Sequence, residues 1–131
     1  MTSRPRPGRR IDFPTCPYCG AVVKRPADIA GSVLSGGSCV CGAAYTMDPT
    51  GLNLGETLLE ALALLCGGNP DLGWQLQPGE DYEEQQCLGY DPSRHVIIGS
   101  AASYRSGMAA LIFVRLLEGG LERAGERARL R

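Results

Sequence analysis

Apolar positions along this chain come in short groups with clear punctuation, and the groups change period as the chain proceeds. From Ile11 to about Met47 they are strand-sized pieces cut by glycine and cysteine: Ala21-Val22-Val23, Ser32-Val33-Leu34 and Ala43-Ala44-Tyr45. Ser35-Gly36-Gly37-Ser38 reads as a flexible turn, and Asp48-Pro49-Thr50-Gly51 as the turn that closes this unit. A helical period follows. Leu54, Leu58, Leu59, Leu62, Leu65 and Cys66 cover most of a helix circumference, leaving Glu56 and Glu60 on one polar stripe, so this helix is expected to be mostly buried. Asn53 with Glu56 three residues later has the form of a capping box, and Gly67-Gly68 provides the stop. Asn69-Pro70 then starts a short helical turn through Trp74 and Leu76.

Past Pro78-Gly79 the period returns to two. Tyr82–Tyr90 and His95–Ile98 read as strands around the turn Asp91-Pro92-Ser93-Arg94, and Gly99–Gly107 as a loop of small and polar residues. Met108–Leu117 fits helix or strand. Ten residues ending at Glu118-Gly119-Gly120 favour a helix, with a second, amphipathic helix or tail over Leu121–Leu130. The expected chain is α+β in four parts: an arm with little to bury over 1–10, a cysteine-bearing β unit over 11–51, an α+β region over 52–118 with its buried helix near 54–66, and a charged amphipathic helix or tail over 119–131.

With 131 residues and 44% apolar content, such a chain can bury a core without needing disulfides to fold. Its net charge of −1 conceals a division. Residues 1–25 carry Arg4, Arg6, Arg9, Arg10, Lys24 and Arg25 against Asp12 alone, a net of +5. Residues 26–93 contain no lysine or arginine and ten acids, and residues 94–131 return to +4. The basic ends can therefore dock on the acidic middle, or the division can select a partner. Residues 1–10, rich in Arg and Pro, read as a disordered basic arm. No apolar run approaches a membrane span, and no apolar core follows the basic start as in a secretory signal. A cytoplasmic protein is expected, in which paired cysteines bind metal more often than they form disulfides.

Six cysteines give this expectation its chemistry. Cys16-Pro17-Tyr18-Cys19-Gly20 places two thiolates in a tight turn around one tetrahedral ion, with a glycine where positive φ is wanted. The 19 residues between Cys19 and Cys39 leave room for a hairpin that returns Cys39-Val40-Cys41-Gly42 to the first pair. With its CPxCG knuckle, the segment over roughly 11–47 resembles the zinc-ribbon family, whose knuckles rubredoxin shares. The resemblance implies a β-hairpin module, packed on or linked to the mixed remainder, with Cys16, Cys19, Cys39 and Cys41 as ligands of a closed structural zinc site. It departs from the family in the second knuckle, where one residue rather than two separates the cysteines. An extended strand still places residues i and i+2 on one face, and Cys66 or Cys87 stands as an alternate ligand. Zinc is expected over rubredoxin-type iron, which normally comes with two full knuckles.

Other candidates have ordinary readings. Cys66 and Cys87 suit small buried side chains. His95, the sole histidine, could pair with Cys87 as base and nucleophile across the hairpin, but no orienting third group accompanies them. Glu80, Asp81, Glu83 and Glu84 form an acidic loop or a docking face for arginine. No phosphate-binding glycine pattern occurs. Arg123, Arg127 and Arg131 would share one helical stripe, flanked by Glu118, Glu122 and Glu126. No catalytic or cofactor-binding residues are expected. The favoured function is non-enzymatic: a structural zinc ribbon supporting contact with a protein partner or a second copy. The alternative is a nucleic-acid-binding or transcription-associated protein using the basic terminal arms.

Overall fold

A computed structural model describes residues 11–98 and 108–130. Its elements are β1 (Ile11–Asp12), β2 (Ala27–Asp28), β3 (Ser35–Ser38), β4 (Ala44–Asp48), α1 (Leu54–Leu65), α2 (Pro70–Trp74), β5 (Tyr82–Asp91), β6 (Val96–Ile98), β7 (Ala109–Leu116) and α3 (Gly120–Arg129). The arm expected over 1–10 and the loop expected over 99–107 lie outside the described residues. The strands pair antiparallel in one sheet, in the order β1-β6-β5-β7-β4-β3-β2. Strands drawn from residues 11–48 thus hydrogen-bond with strands from the rest of the chain, most extensively where β4 pairs with β7 from Ala44↔Val114 to Asp48↔Ala110.

The segment expected to be a helix at 108–117 is instead β7, the middle strand of the sheet. Its side chains alternate between two cores. Ala109, Leu111 and Phe113 join Cys16, Val23, Tyr45 and Tyr90 on one face, while Ile112 and Val114 join Ala61, Leu62, Leu76 and Ala124 on the other. A strand buried on both sides has no polar face to reveal its period, so its sequence looks like a buried helix. Glycine after it marks a tight strand-to-helix connection rather than a helix end. Gly119 has φ 75°, and a Cβ on Gly120 would lie 2.2 Å from the Asp81 carbonyl oxygen.

A second correction concerns Ser35–Ser38, expected as a flexible turn but observed as β3. Its glycines answer to crowding. A Cβ on Gly36 would stand 2.3 Å from the Tyr45 carbonyl oxygen, and one on Gly37 would stand 2.6 Å from the Tyr45 hydroxyl. The turn lies earlier, over residues expected to be strand: Ser32-Val33-Leu34 links β2 to β3, with the Ile29 amide bonded to the Leu34 carbonyl at 3.3 Å. Ala21-Val22-Val23 contributes only an isolated bridge, Thr15↔Val22.

The helices follow the sequence more closely. α1 begins after Asn53, but the Asn53 side chain donates to Glu56 at 2.5 Å and caps nothing. Asp48 organises the entry instead. Its carboxylate accepts from the Asn53 amide at 2.6 Å and from the Thr50 amide and hydroxyl at 3.0 and 2.9 Å. Thr57 then bonds the Asn53 carbonyl while Thr46 bonds that of Thr57, tying the first turn to β4. Gly67 and Gly68 end α1 with positive φ, the Gly68 amide reaching back to the Ala63 carbonyl at 2.8 Å. Thr57, Ala61, Leu62 and Ala63 are buried, but Leu59 is 40% exposed, so α1 is less enclosed than expected. α2 is capped by Asn69, whose side chain accepts from the Leu72 amide at 3.1 Å. Gly73 lets α2 cross α1 closely, within 3.0 Å of the Ala63 nitrogen for a Cβ.

Candidate metal centre

The first knuckle is a tight loop closed by backbone bonds. The Cys16 amide donates to the Ala21 carbonyl and the Gly20 amide to the Cys16 carbonyl, both at 2.8 Å, and Gly20 has φ 78°. The second knuckle is the loop of the β3–β4 hairpin. Here the structure corrects the expectation that Cys39-Val40-Cys41 is extended. The Gly42 amide donates to the Cys39 carbonyl at 2.9 Å, so the three residues make a turn, with Gly42 at φ 95°. A turn aims both thiols inward as effectively as a strand face would, which is how a one-residue spacer serves.

These two loops bring the Sγ atoms of Cys16, Cys19, Cys39 and Cys41 within 4.8 Å of one another. Cys16 and Cys41 are 3.7 Å apart, and Cys19 and Cys39 are 3.4 Å apart. Sulfurs placed ~2.3 Å from a tetrahedral metal would be separated by ~3.8 Å, so four protein ligands around one ion fit this cluster. It is the cluster of metal-binding type found among the described residues, and Cys66 and Cys87 are not in it. All six cysteines are free thiols.

Burial grades across the cluster. Cys16 is 1% exposed, Cys39 half-buried, and Cys19 and Cys41 face solvent. Burial pushes the Cys16 thiol up. The Cys41 amide favours a thiolate at Cys39, yet burial and the neighbouring sulfurs outweigh it and push this thiol up to about 12. Cys19 moves the other way, because the Ala21 amide and then Cys39 stabilise its thiolate. Four sulfurs this close cannot all ionise against their mutual repulsion. A divalent cation at their centre removes that obstacle.

Tyr18 anchors the first knuckle to the sheet. Its hydroxyl faces the carbonyls of Glu83 at 3.1 Å and Phe113 at 3.2 Å, and its ring lies under Arg115, whose guanidinium carbon is 4.6 Å from the centroid. Arg115 in turn pairs with Glu83. Burial, reinforced by the Glu83 charge, pushes the Tyr18 phenol up to about 12. In the sequence, an aromatic residue between Cys16 and Cys19 is the one local sign of this anchor.

The strand of chain leaving this knuckle is fastened at three points. Tyr45 donates to the Lys24 carbonyl at 2.7 Å, Arg25 donates to the carbonyls of Pro92 and Ser93, and His95 bonds the Val23 carbonyl through Nε2 at 2.8 Å. A carbonyl only accepts, so Nε2 donates to Val23, and Nδ1 shares a hydrogen bond with the Tyr90 hydroxyl at 2.7 Å. Both ring nitrogens are thus engaged, and the imagined Cys87–His95 pair is not formed. Cys87 packs against the core on the side of the four-cysteine cluster, where burial pushes its thiol up, and Cys66 at the end of α1 is raised for the same reason.

The acidic middle meets the basic C-terminus inside the protein. Asp81 is fully buried and accepts from Arg123 at 2.8 Å, from the Gln77 amide at 2.8 Å and from Arg127. Burial opposes its ionisation, but the bonds from Arg127, Gln77 and Arg123 prevail and hold its carboxyl below the ordinary range. Arg127 also bonds the Gln75 carbonyl at 2.9 Å. No helix among the described residues is long and apolar enough to cross a membrane. Compared with protein-family models, curated proteins and solved structures, the chain matches none.

Proposed function

We propose that this is a non-enzymatic zinc protein in which Cys16, Cys19, Cys39 and Cys41 hold a structural ion. The observation that carries the reading is the convergence of four thiols, from loops 20 residues apart, into one tetrahedron-sized cluster. Four sulfur ligands leave no coordination position for water or substrate, so the ion organises chain rather than performing catalysis. Zinc suits a full thiolate set with no redox demand and is favoured over iron. Such thiols stay reduced in the cytoplasm, where the reading places the protein.

The role that follows is an adaptor or accessory contact with another protein. Arg115, Arg123 and Arg127 are engaged with Glu83 and Asp81, which removes much of the basic C-terminal surface a nucleic acid would need. Metal analysis of purified protein, with cobalt replacement to report tetrahedral thiolate ligation, tests the site. About one equivalent of zinc is expected, with marked loss in Cys16→Ser and Cys41→Ser. Full retention in both variants would refute the ligand set.

A further inference from the structure

Away from the sulfurs, between the β2–β3 hairpin and the C-terminal end of α1, lies an open cavity of about 380 Å³. Three segments line it: Ala27–Ala30, the glycines Gly36 and Gly37 of β3, and Leu64 with Gly67-Gly68. Asp28 is the one charged residue of the lining, and it makes no ion pair among the described residues. Leu64 and Gly67-Gly68 belong to the C-terminal end of α1, the negative end of the helix dipole, and no basic residue stands in its last turn. Residues 26–93 supply no lysine or arginine at all. Arg25, the nearest arginine in sequence, is held by the Pro92 and Ser93 carbonyls.

Asp28 and the helix end give the lining a negative character, while Ile29, Leu64 and the alanines add apolar walls. That combination suits a long side chain with an alkyl stem and a cationic tip. The volume is at the low end for small-ligand sites, roughly 300–1,000 Å³, which suits one side chain better than a cofactor. The glycines keep the lining free of bulk: a Cβ on Gly67 or Gly68 would meet nothing within 4 Å. We propose that this groove seats an arginine or lysine side chain presented by an extended segment of a protein partner. The proposal deepens the adaptor reading above and rests on its protein-partner part alone.

The test is a titration of metal-loaded, ¹⁵N-labelled protein with the blocked peptide acetyl-Ala-Ala-Arg-Ala-Ala-amide at low salt. Amide shifts should concentrate at Gly36, Gly37, Gly67 and Gly68. Asp28→Asn should weaken binding roughly five- to ten-fold, as expected for losing a charge-assisted bond. Ala30→Phe should abolish it by filling the groove. Glu60→Gln, an equal charge change on α1, should alter it less than two-fold. Shifts spread over Glu56, Glu60 and Asp71, or equal weakening by Asp28→Asn and Glu60→Gln, would overturn the groove. Equally tight binding of n-butylammonium would overturn a peptide-borne ligand in favour of a free amine. Zinc content measured in every sample registers a failure of the metal reading separately from a failure of the groove.

Discussion

The two faces of the sheet are built on different principles. On the helix side, Ala61, Leu62, Leu76, Ile112, Val114 and Ala124 pack as an ordinary apolar core between sheet and helices. On the cysteine side no helix among the described residues covers the sheet. Loops do, and they are held by polar fasteners: the sulfur cluster, the Tyr18 and Tyr45 hydroxyls, and the His95 ring. These loops bury Val23 and Ala43 in the cluster around Tyr45, Leu111 and Phe113, and directional bonds and, in our proposal, a metal ion add to that burial. Apolar burial tolerates sliding and repacking; ligand geometry does not.

The sharpest way to break that contrast is to remove the ion proposed among the cysteines. Chelation or Cys16→Ser should cost several kcal/mol, since binding energy at such sites is folding energy. Hydrogen exchange should show amides of residues 15–23 and 39–43 losing protection before those of α1 and β5. Simultaneous loss on both faces would mean that the two sides form one cooperative unit.

Next in size is a paired truncation within β7. Leu111→Ala and Ile112→Ala each delete a fully buried side chain and should each cost about 2–5 kcal/mol in denaturant melts. Only the first faces the cysteine side. It alone should weaken cobalt or zinc affinity, and equal effects on the metal would contradict the division of β7 between the faces.

Asp81→Asn should cost about 2 kcal/mol, less than for a wholly buried pair because Arg123 and Arg127 are partly exposed. The same carboxylate gives a pH signature. Its folded pKa is depressed, as is that of Asp48, where burial opposes ionisation but the Asn53 and Thr50 bonds prevail. Their stabilisation is present above the unfolded carboxylate value of ~3.9 and is lost as pH falls through the folded values. Release of the proposed ion should come earlier in an acid titration, because protons compete with the metal for the cysteine thiolates. Two separate steps are expected by absorbance and circular dichroism, and Asp81→Asn should shift only the lower one. The smallest effect belongs to Tyr18→Phe, about 1 kcal/mol for one hydrogen bond, visible as faster metal loss to a chelator.

What the sequence revealed divides along the same lines. Cys16, Cys19, Cys39 and Cys41 were legible because knuckle spacing is local chemistry, and the structure brings those four together. α1, α2 and the β5–β6 hairpin were legible because helical period, glycine stops and turn residues are local too, although the cap expected at Asn53 does not form. Two misreadings, Met108–Leu117 and Ser35–Ser38, are segments whose form depends on distant neighbours, while Ser32-Val33-Leu34, read as strand, and Cys39-Val40-Cys41, read as extended, are local turns. β7 is enclosed by both cores, and β3 has glycine because Tyr45 crowds it. Charge was legible only as an option. The sequence allowed the ends to dock on the middle, and Asp81 with Arg123 and Arg127 shows where that happens.

In β7, Leu111 and Phe113 answer to one core and Ile112 to the other. Because neighbours in sequence serve opposite sides, this strand has a reading frame. Inserting one residue near Ala109 would turn every later side chain over, offering Ile112 and Val114 to the cysteine loops and Phe113 to the helices. β5 absorbs a residue at its bulge, where Gly89 sits between paired Leu88 and Tyr90 with φ 78°. β7 has no such slack. Length changes should therefore be accepted in β5 and lethal to folding in β7, although the two strands lie side by side.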